Sequence, residues 1–534
     1  MNSDHKFSLT VYKQAQKVQD KAEQGKKNVV KLVFGRTAVL LSLVLLQILF
    51  LLFIGVFLYR YVFYAYAAYS LVALVIVMAM INAPGIPEMK TPWIVMTLLF
   101  PIIGGLFYLF AHSQPGVRIL NKKVRQQAER MRDFTPANEE VYASLRERDL
   151  HMAGVADYLL KEGFPAYFNK GLEYYPLGDD WFPAMLKALR GARRFIFMEY
   201  FIIERGEVWE QVLTLLKDKA AEGVEVRLMY DGTVQFASLT HNYPRLLQAA
   251  GIKCKVFSPI KPALTTYQNN RDHRKILVID GETAFTGGTN LADEYINRKE
   301  RFGHWKDTAL MIKGDAVRSM TTMFLQLWDL EGYENNYGDY LDIYPGPAEE
   351  LLKGYVIPYA DSPLDGEYVG KFVYMHILQR ATRYVHIMTP YLIIDNEMQT
   401  ALCDAVRRGV EVSIILPHIP DKAYAFALAR THYSYLLEHG VRIYEYLPGF
   451  VHAKVFVSDD NTAVVGTINM DYRSLYLHFE NAVLMYEAEE IAAIERDVQD
   501  TLDRCLQVTP DYVSEISLKA RIFGFILKIF APLM

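Results

Sequence analysis

Two stretches of the chain, HRKILVIDGETAFTGGTN at 273–290 and HAKVFVSDDNTAVVGTIN at 452–469, align without a gap at an offset of 179. They share His273/His452, Lys275/Lys454, Val278/Val457, Asp280/Asp459, Thr283/Thr462, Ala284/Ala463, Gly287/Gly466 and Asn290/Asn469. Each copy reads His-x-Lys-x4-Asp, followed by a glycine and an asparagine. An imidazole can attack phosphorus or carry a proton, and an ammonium beside it neutralises the non-bridging oxygens of a phosphodiester. The glycine and asparagine let further donors approach the same anion closely. One such match is a weak signal, but two in register are strong. A duplicated core would keep the apolar positions and has little reason to keep His and Lys in both copies.

The motif needs a scaffold that aims its residues. KILVID reads as a strand with side chains alternating between faces, so His273, Lys275 and Leu277 share one face and Ile276, Val278 and Asp280 take the other. The candidate catalytic set is therefore His273, Lys275, Asp280, His452, Lys454 and Asp459. Asp280 and Asp459, pointing away from the His/Lys face, suit a structural part in bonding turn amides or a basic side chain. Each imidazole needs a partner that sets its tautomer. KDTALM at 306–311 resembles FENAVL at 479–484, which places Asp307 and Glu480 in corresponding positions. Pairing within each half is expected: Asp307 on His273 and Glu480 on His452. If the halves pack with pseudo-twofold symmetry, both pairs meet at one cleft. One histidine then attacks phosphorus, while the other protonates the departing alkoxide and later serves as base. A phospho-histidine route calls for no metal or other cofactor, and no Cys/His ligand cluster is evident in the sequence.

The repeat extends beyond the motif. GVEVRLMY at 223–230 resembles GVEVSIIL at 409–416, and FIFMEYFII at 195–203 resembles HIMTPYLII at 386–394. Strand-like runs alternate with helical patterns in both halves, giving an α/β fold of two homologous lobes, 166–345 and 346–515, joined near 346–350. Ahead of them lie a basic segment (1–36), apolar segments (37–112) and a basic linker (113–165). Thr37–Tyr59, Tyr61–Ile81 and Thr91–Phe110 are each long enough to span a bilayer, predicting two or three membrane helices. The flanks 1–36 and 113–132 each carry a net charge of +5, eight basic against three acidic groups and six against one. Both flanks therefore belong in the cytoplasm, which requires an even number of crossings. Pro92, Pro101, Gly104 and Gly105 make the third run a candidate re-entrant segment; alternatively, one of the first two lies in the interface. At the far end, 516–534 predicts an amphipathic helix with Leu518, Ile522, Phe525 and Ile529 on one stripe. It either lies in the surface of an anionic leaflet or docks on the protein's own core.

Composition excludes other classes. With 534 residues, 51% hydrophobic, and a formal charge of −4, the chain lacks the basic surplus of a general nucleic-acid binder, and no nucleic-acid partner is expected. Cys254, Cys403 and Cys505 are too few and too far apart for a disulfide framework and read as buried filler in a reducing compartment.

The duplicated motif is that of the phospholipase D superfamily, and longer strings resemble bacterial cardiolipin synthases. These are NNRDHRKILVIDGETAFTGGTNLADEY (269–295), HWKDTALMIKGDAV (304–317), MTPYLIIDNEM (388–398), GFVHAKVFVSDD (449–460) and GTINMDYRSLYLHFE (466–480). PIIGGLFYLF (101–110) and the terminal APLM fit as well, so the likeness covers nearly all of 37–534. The resemblance implies two phospholipase D-like lobes behind N-terminal transmembrane helices, in a multi-pass protein of the bacterial plasma membrane with cytoplasmic lobes. It implies transesterification between two phosphatidylglycerol molecules, giving cardiolipin and glycerol, with anionic phospholipids as partners. It makes His273 the nucleophile and His452 the general acid/base, with Lys275, Lys454, Asn290 and Asn469 on the phosphoryl oxygens. Thr467, Arg473 and Ser474 match the second signature, Arg473 with a structural alternative. The first half has GGTN where the second has GTIN and lacks the Asp-x-Arg-Ser continuation, so the two sides of the cleft should be unequal. The motif itself leaves the acceptor alcohol open, between phosphatidylglycerol, another alcohol and water.

Overall fold

The computed structural model describes residues 61–112, 115–259, 269–330, 336–341 and 351–533, with Gly332 and isolated positions between 42 and 56. The basic segment 1–36, most of the apolar run 37–59 and the joint at 346–350 lie outside the described residues. The chain divides into two compact units. One runs to residue 115, and the other, 116–259 with 269–534, carries both repeats.

In the first unit, Tyr61–Ile81 becomes the helix Val62–Asn82. The run 91–110 does not form one span. It breaks at Phe100 (φ −138°, ψ 70°) into the helices Pro87–Leu99 and Pro101–His112, of 13 and 12 residues. The cause is Pro101, which disfavours helical backbone at the residue before it and has no N–H to continue the helix. Among the described residues no helix is long and apolar enough to cross a membrane.

The second unit holds two mixed sheets of one design. The first orders its strands Leu172–Tyr175, Ala309–Lys313, Thr283–Gly287, Lys275–Ile279, Phe195–Tyr200, Glu225–Asp231 and Ile252–Phe257. The second repeats that order with Tyr355–Asp361, Glu480–Tyr486, Thr462–Gly466, Val455–Ser458, Tyr384–Met388, Glu411–Pro417 and Arg442–Tyr446. Tyr167–Phe168 and Cys505–Gln507 extend the second sheet at its two edges. Tyr167–Phe168 precedes every strand of the first sheet yet pairs with Tyr355 and Val356 of the second, across the expected lobe boundary.

Alternation along the motif strand divides its apolar side chains between two cores. Leu277 and Ile279 join Trp181 and Trp209 within the first lobe. Ile276 and Val278 join Val455, Val457 and Val465 of the second lobe, with the helices Val317–Trp328 and Ile491–Leu502, in one core common to both lobes. Removing that shared apolar surface from water fixes the lobes against each other, which the cleft requires. Cys254 and Cys403 are buried and Cys505 half-buried, in keeping with a filler role.

The C-terminal helix Leu518–Lys528 packs on the helix Ala423–Glu438. Gly524 makes the contact possible, since a Cβ there would lie 2.9 Å from the Ala427 carbonyl oxygen and from Thr431 Cγ2. The docked face is therefore not the apolar stripe.

Candidate active site

His273 and His452 stand just ahead of equivalent strands, Lys275–Ile279 and Val455–Ser458, and the third motif member closes the far end. Asp280 accepts from the amides of Arg193, Arg194 and Phe195 at 2.8, 2.7 and 2.9 Å. Asp459 accepts from those of Thr382, Arg383 and Tyr384 at 2.7, 2.9 and 3.0 Å. Both adopt positive φ, 56° and 54°, which a short polar side chain tolerates in a turn. They tie the start of the neighbouring strand to the motif strand, so the two carboxylates grouped by sequence with the catalytic set are both occupied by main-chain amides, the structural part expected of them.

The histidine partners are crossed between the lobes. His273 Nδ1 lies 2.9 Å from Glu480 Oε2, and His452 Nδ1 lies 2.6 Å from Asp307 Oδ2. The expected pairing within each lobe is thus reversed, and the backbone shows why. His273 N donates to the Phe479 carbonyl at 2.9 Å, and Phe479 N donates to Arg271 at 2.8 Å. On the other side, His452 N donates to the Lys306 carbonyl at 2.7 Å, and Gly449–Val451 pairs in parallel with His304–Lys306. Each histidine segment is stitched to the segment that carries the other lobe's carboxylate. Gly288 permits the approach on the second side, because a Cβ there would meet Asp307 Oδ1 at 2.0 Å.

The site is buried: His273 and His452 are each 7% exposed, Lys275 and Lys454 each 1%, and both carboxylates are fully covered. Burial pushes the His273 imidazole down to about 3, against the raising effect of Glu480, with Lys275 lowering it further. Burial and Lys454 push His452 down to about 4, against Asp307. Lys275 falls to about 7 by burial, opposed by Glu480 and reinforced by the charge of Lys454. Lys454 falls to about 8 by burial, opposed by Asp307. Glu480 is held far below the usual carboxylate range by His273, and Asp307 is lowered by His452 and Lys454, in both cases against burial. The crossed His–carboxylate contacts bring the two motif pairs to one locus, where Lys275 feels the charge of Lys454 and each lysine feels both carboxylates. Desolvated ammonium groups with two neutral imidazoles are a receptor for an anion, whose charge relieves their mutual repulsion.

The supporting residues differ between sides. Asn290 accepts from Ile202 N (2.9 Å) and donates to Tyr295 Oη (2.8 Å), bracing its own lobe. Asn469 donates to Asp471 at 3.3 Å, and its buried Oδ1 has no hydrogen-bond partner among the described residues. Thr467 donates its hydroxyl to Glu480 Oε2. Ser474 N donates to Asp471 at 2.8 Å, capping the short helix Tyr472–Tyr476 that carries Arg473. Sequence reading missed His478, whose ring centroid is 5.6 Å from that of His273 and whose Nδ1 is 3.7 Å from Glu480 Oε1. It also missed the rings of Tyr295, Trp305 and Phe450 around His452, and Phe201 against His273. A signal for His478 existed, two residues before Glu480 in LHFE; nothing in the sequence marked the aromatic wall.

Among the described residues, His273, His478 and Glu480 form one group whose donor atoms lie within 4.8 Å of one another, a cluster sequence spacing did not show. Glu480 Oε2 already serves His273 and Thr467 there, and Lys275 adds positive charge to the same locus.

Known proteins share this organisation. The family described as "Cardiolipin synthase, PLD-like domain" matches residues 185–328 and 374–502, one segment per lobe. A protein of Streptococcus mutans, described only as uncharacterized, is 47% identical over 83% of this chain and 96% of its own length. Cardiolipin synthase of Geobacillus kaustophilus is 33% identical and that of Alkalihalophilus pseudofirmus 31%, each over 84% of this chain and 89% of the relative. Phosphatidylserine synthase of Haemophilus influenzae has a similar fold (TM-score 0.56, 14% identity), covering 71% of this chain and 97% of that structure. With the duplicated motif, the repeated sheet and these relatives in agreement, the chain belongs to the cardiolipin synthase family of phospholipase D-like proteins.

Proposed function

We propose that this chain is a cardiolipin synthase, an enzyme that moves a phosphatidyl group from one phosphatidylglycerol to another. The observation that carries the reading is the crossed pair of His–carboxylate contacts around two buried lysines, inside a family whose curated members bear that name. His273 Nδ1–H donates to Glu480, leaving Nε2 with a lone pair. Nε2 attacks phosphorus, a P–N bond forms, and the P–O bond to the headgroup glycerol breaks. His452, held by Asp307, gives that oxygen its proton. A second phosphatidylglycerol then offers its free hydroxyl, whose proton passes to His452 as its oxygen attacks phosphorus. The P–N bond breaks and cardiolipin leaves. For His452 to act first as an acid it must hold a second proton, and the entering phosphodiester anion raises its pKa from the depressed value of the free site. Lys275, Lys454 and the second amide hydrogen of Asn469, the one not given to Asp471, are the groups suited to hold the phosphoryl oxygens.

The reading places the protein in the bacterial plasma membrane as a multi-pass protein with its lobes in the cytoplasm and no nucleic acid as partner. Support comes from the uncharged N-terminal runs with basic flanks, and from Leu71, Val75, Leu98, Leu99 and Leu106 standing exposed on the N-terminal helices. The deciding test supplies purified protein with phosphatidylglycerol alone and resolves the lipid products. Cardiolipin with free glycerol is expected; phosphatidic acid without cardiolipin would make the enzyme a hydrolase.

A further inference from the structure

The C-terminal helix turns outward the face its sequence makes apolar. Leu518 is 71% exposed and Phe525 73%, and Ile522, Phe523 and Ile526 are exposed beside them. Docking through Gly524 uses the helix's small-residue side, so the apolar side stays bare. Contiguous exposed apolar surface of this kind marks a contact with something apolar. The charge around it names the occupant: residues 516–534 contain Lys519, Arg521 and Lys528 and no acid. Arg521 Nη2 is tied to the carbonyls of Val513 and Ser514 at 2.7 and 2.8 Å, which fastens the helix start to the preceding turn. A groove of about 780 Å³ beside the helix is lined by Phe426, Phe523 and Phe525, with Arg430, Arg521 and Lys528 against the one acid Glu438, so basic groups outnumber acidic ones there. The last turn, Ala531–Leu533, packs against the helix Tyr472–Tyr476 that follows the second motif.

We infer that Leu518–Lys528 is an interfacial helix that embeds its Leu518/Ile522/Phe525 face in an anionic phospholipid leaflet and so holds the second motif at the headgroup plane. An apolar stripe flanked by basic groups has the two attractions such binding needs, burial of hydrocarbon and charge complementarity. Anchoring at both ends, through Gly524 on one helix and Ala531–Leu533 beside the second motif, makes the helix a rigid extension of the lobe. The inference deepens the proposed function, on which its orientation of the cleft rests.

The test uses the full chain with a nitroxide on Phe525→Cys in a Cys505→Ser background, leaving the two buried cysteines. In phosphatidylglycerol vesicles, collisions with dissolved oxygen should exceed those with a water-soluble nickel chelate, and the order should reverse at Glu515→Cys. Unhindered nickel access at 525 overturns the inference, as does spin–spin broadening that shows a second copy on this face. Leu518→Gln with Ile522→Gln and Phe525→Gln should lower turnover on vesicles about tenfold and leave it intact on short-chain phosphatidylglycerol in solution. Undiminished turnover on vesicles also overturns it. A lipid-embedded residue 525 in a protein that makes no cardiolipin would sink the functional reading and leave the helix where the inference puts it.

Discussion

The His273 side and the His452 side of the cleft descend from one repeat but are braced differently. Glu480, behind His273, is anchored by the Thr467 hydroxyl, and its other oxygen faces His478 across 3.7 Å. Asp307, behind His452, is anchored by the main-chain amide of Thr308 at 2.9 Å. The chain neighbours of His273 belong to a buried charge network, with Arg274 on Glu199 at 2.6 Å and Arg271 near Asp231 at 3.4 Å, while Phe201 and His478 pack on the imidazole itself. Around His452 the corresponding space holds the rings of Tyr295, Trp305 and Phe450. Duplication supplied two equal sites, and the surroundings made them unequal.

Six variants break or sharpen that contrast. His273→Ala and His452→Ala should each reduce turnover by about 10⁴-fold or more. After prolonged incubation with labelled phosphatidylglycerol and denaturation, label should build up slowly on His452→Ala, which keeps the nucleophile but lacks the acid, and never on His273→Ala; label on His273→Ala instead would exchange the two roles. Lys275→Met removes an ammonium from the receptor and should cost about 10²–10³-fold in turnover. The same change should stabilise the fold by about 1–2 kcal/mol, because it removes a desolvated charge. The sign follows from a folded pKa of about 7 lying below the unfolded value of 10.5. Holding Lys275 opposes folding in full below about 7, and the penalty fades as pH rises towards the unfolded value. The thermal advantage of Lys275→Met over wild type should therefore shrink between pH 7 and 10, and a constant gap would refute that electrostatic account.

Glu480→Gln should lower turnover by about 10²-fold and shift the ring resonances of His273 rather than His452. Asp307→Asn should do the opposite, and changes confined to the histidine of the same lobe would undo the crossing. The smallest effect belongs to Thr467→Val, about tenfold, the worth of one hydrogen bond to an ionised carboxylate. No side-chain change can remove the matching anchor of Asp307, since that anchor is backbone.

Much of this was legible beforehand because it depends on local pattern. Period-two alternation put Ile276 and Val278 on a face opposite His273 and Lys275, and the pleat obeys it. The same pattern pointed Asp280 and Asp459 away from the cleft towards turn amides, where they are found. What failed depends on chain crossing. KDTALM and FENAVL told correctly which carboxylates matter but not which histidine each serves. Similarity between repeats says which positions correspond, while a contact between lobes depends on how the two copies are rotated together. The run 91–110 was legible in part: its length allowed a span, its prolines and glycines left an interrupted segment open, and the backbone breaks ahead of Pro101.

The sequence alone determined that two imidazole–ammonium pairs exist, that each belongs to a strand, and that a motif aspartate follows each at the same spacing, with a further carboxylate later in each half. Only the tertiary structure decided that Phe479 and Lys306 bind the opposite histidine segments, that Gly288 leaves room for Asp307, and that the C-terminal helix presents its apolar face outward. The physical reason is range: alternation, turn chemistry and charge act over a few residues, whereas burial of the shared core selects one relative placement of two lobes from all those the repeat permits.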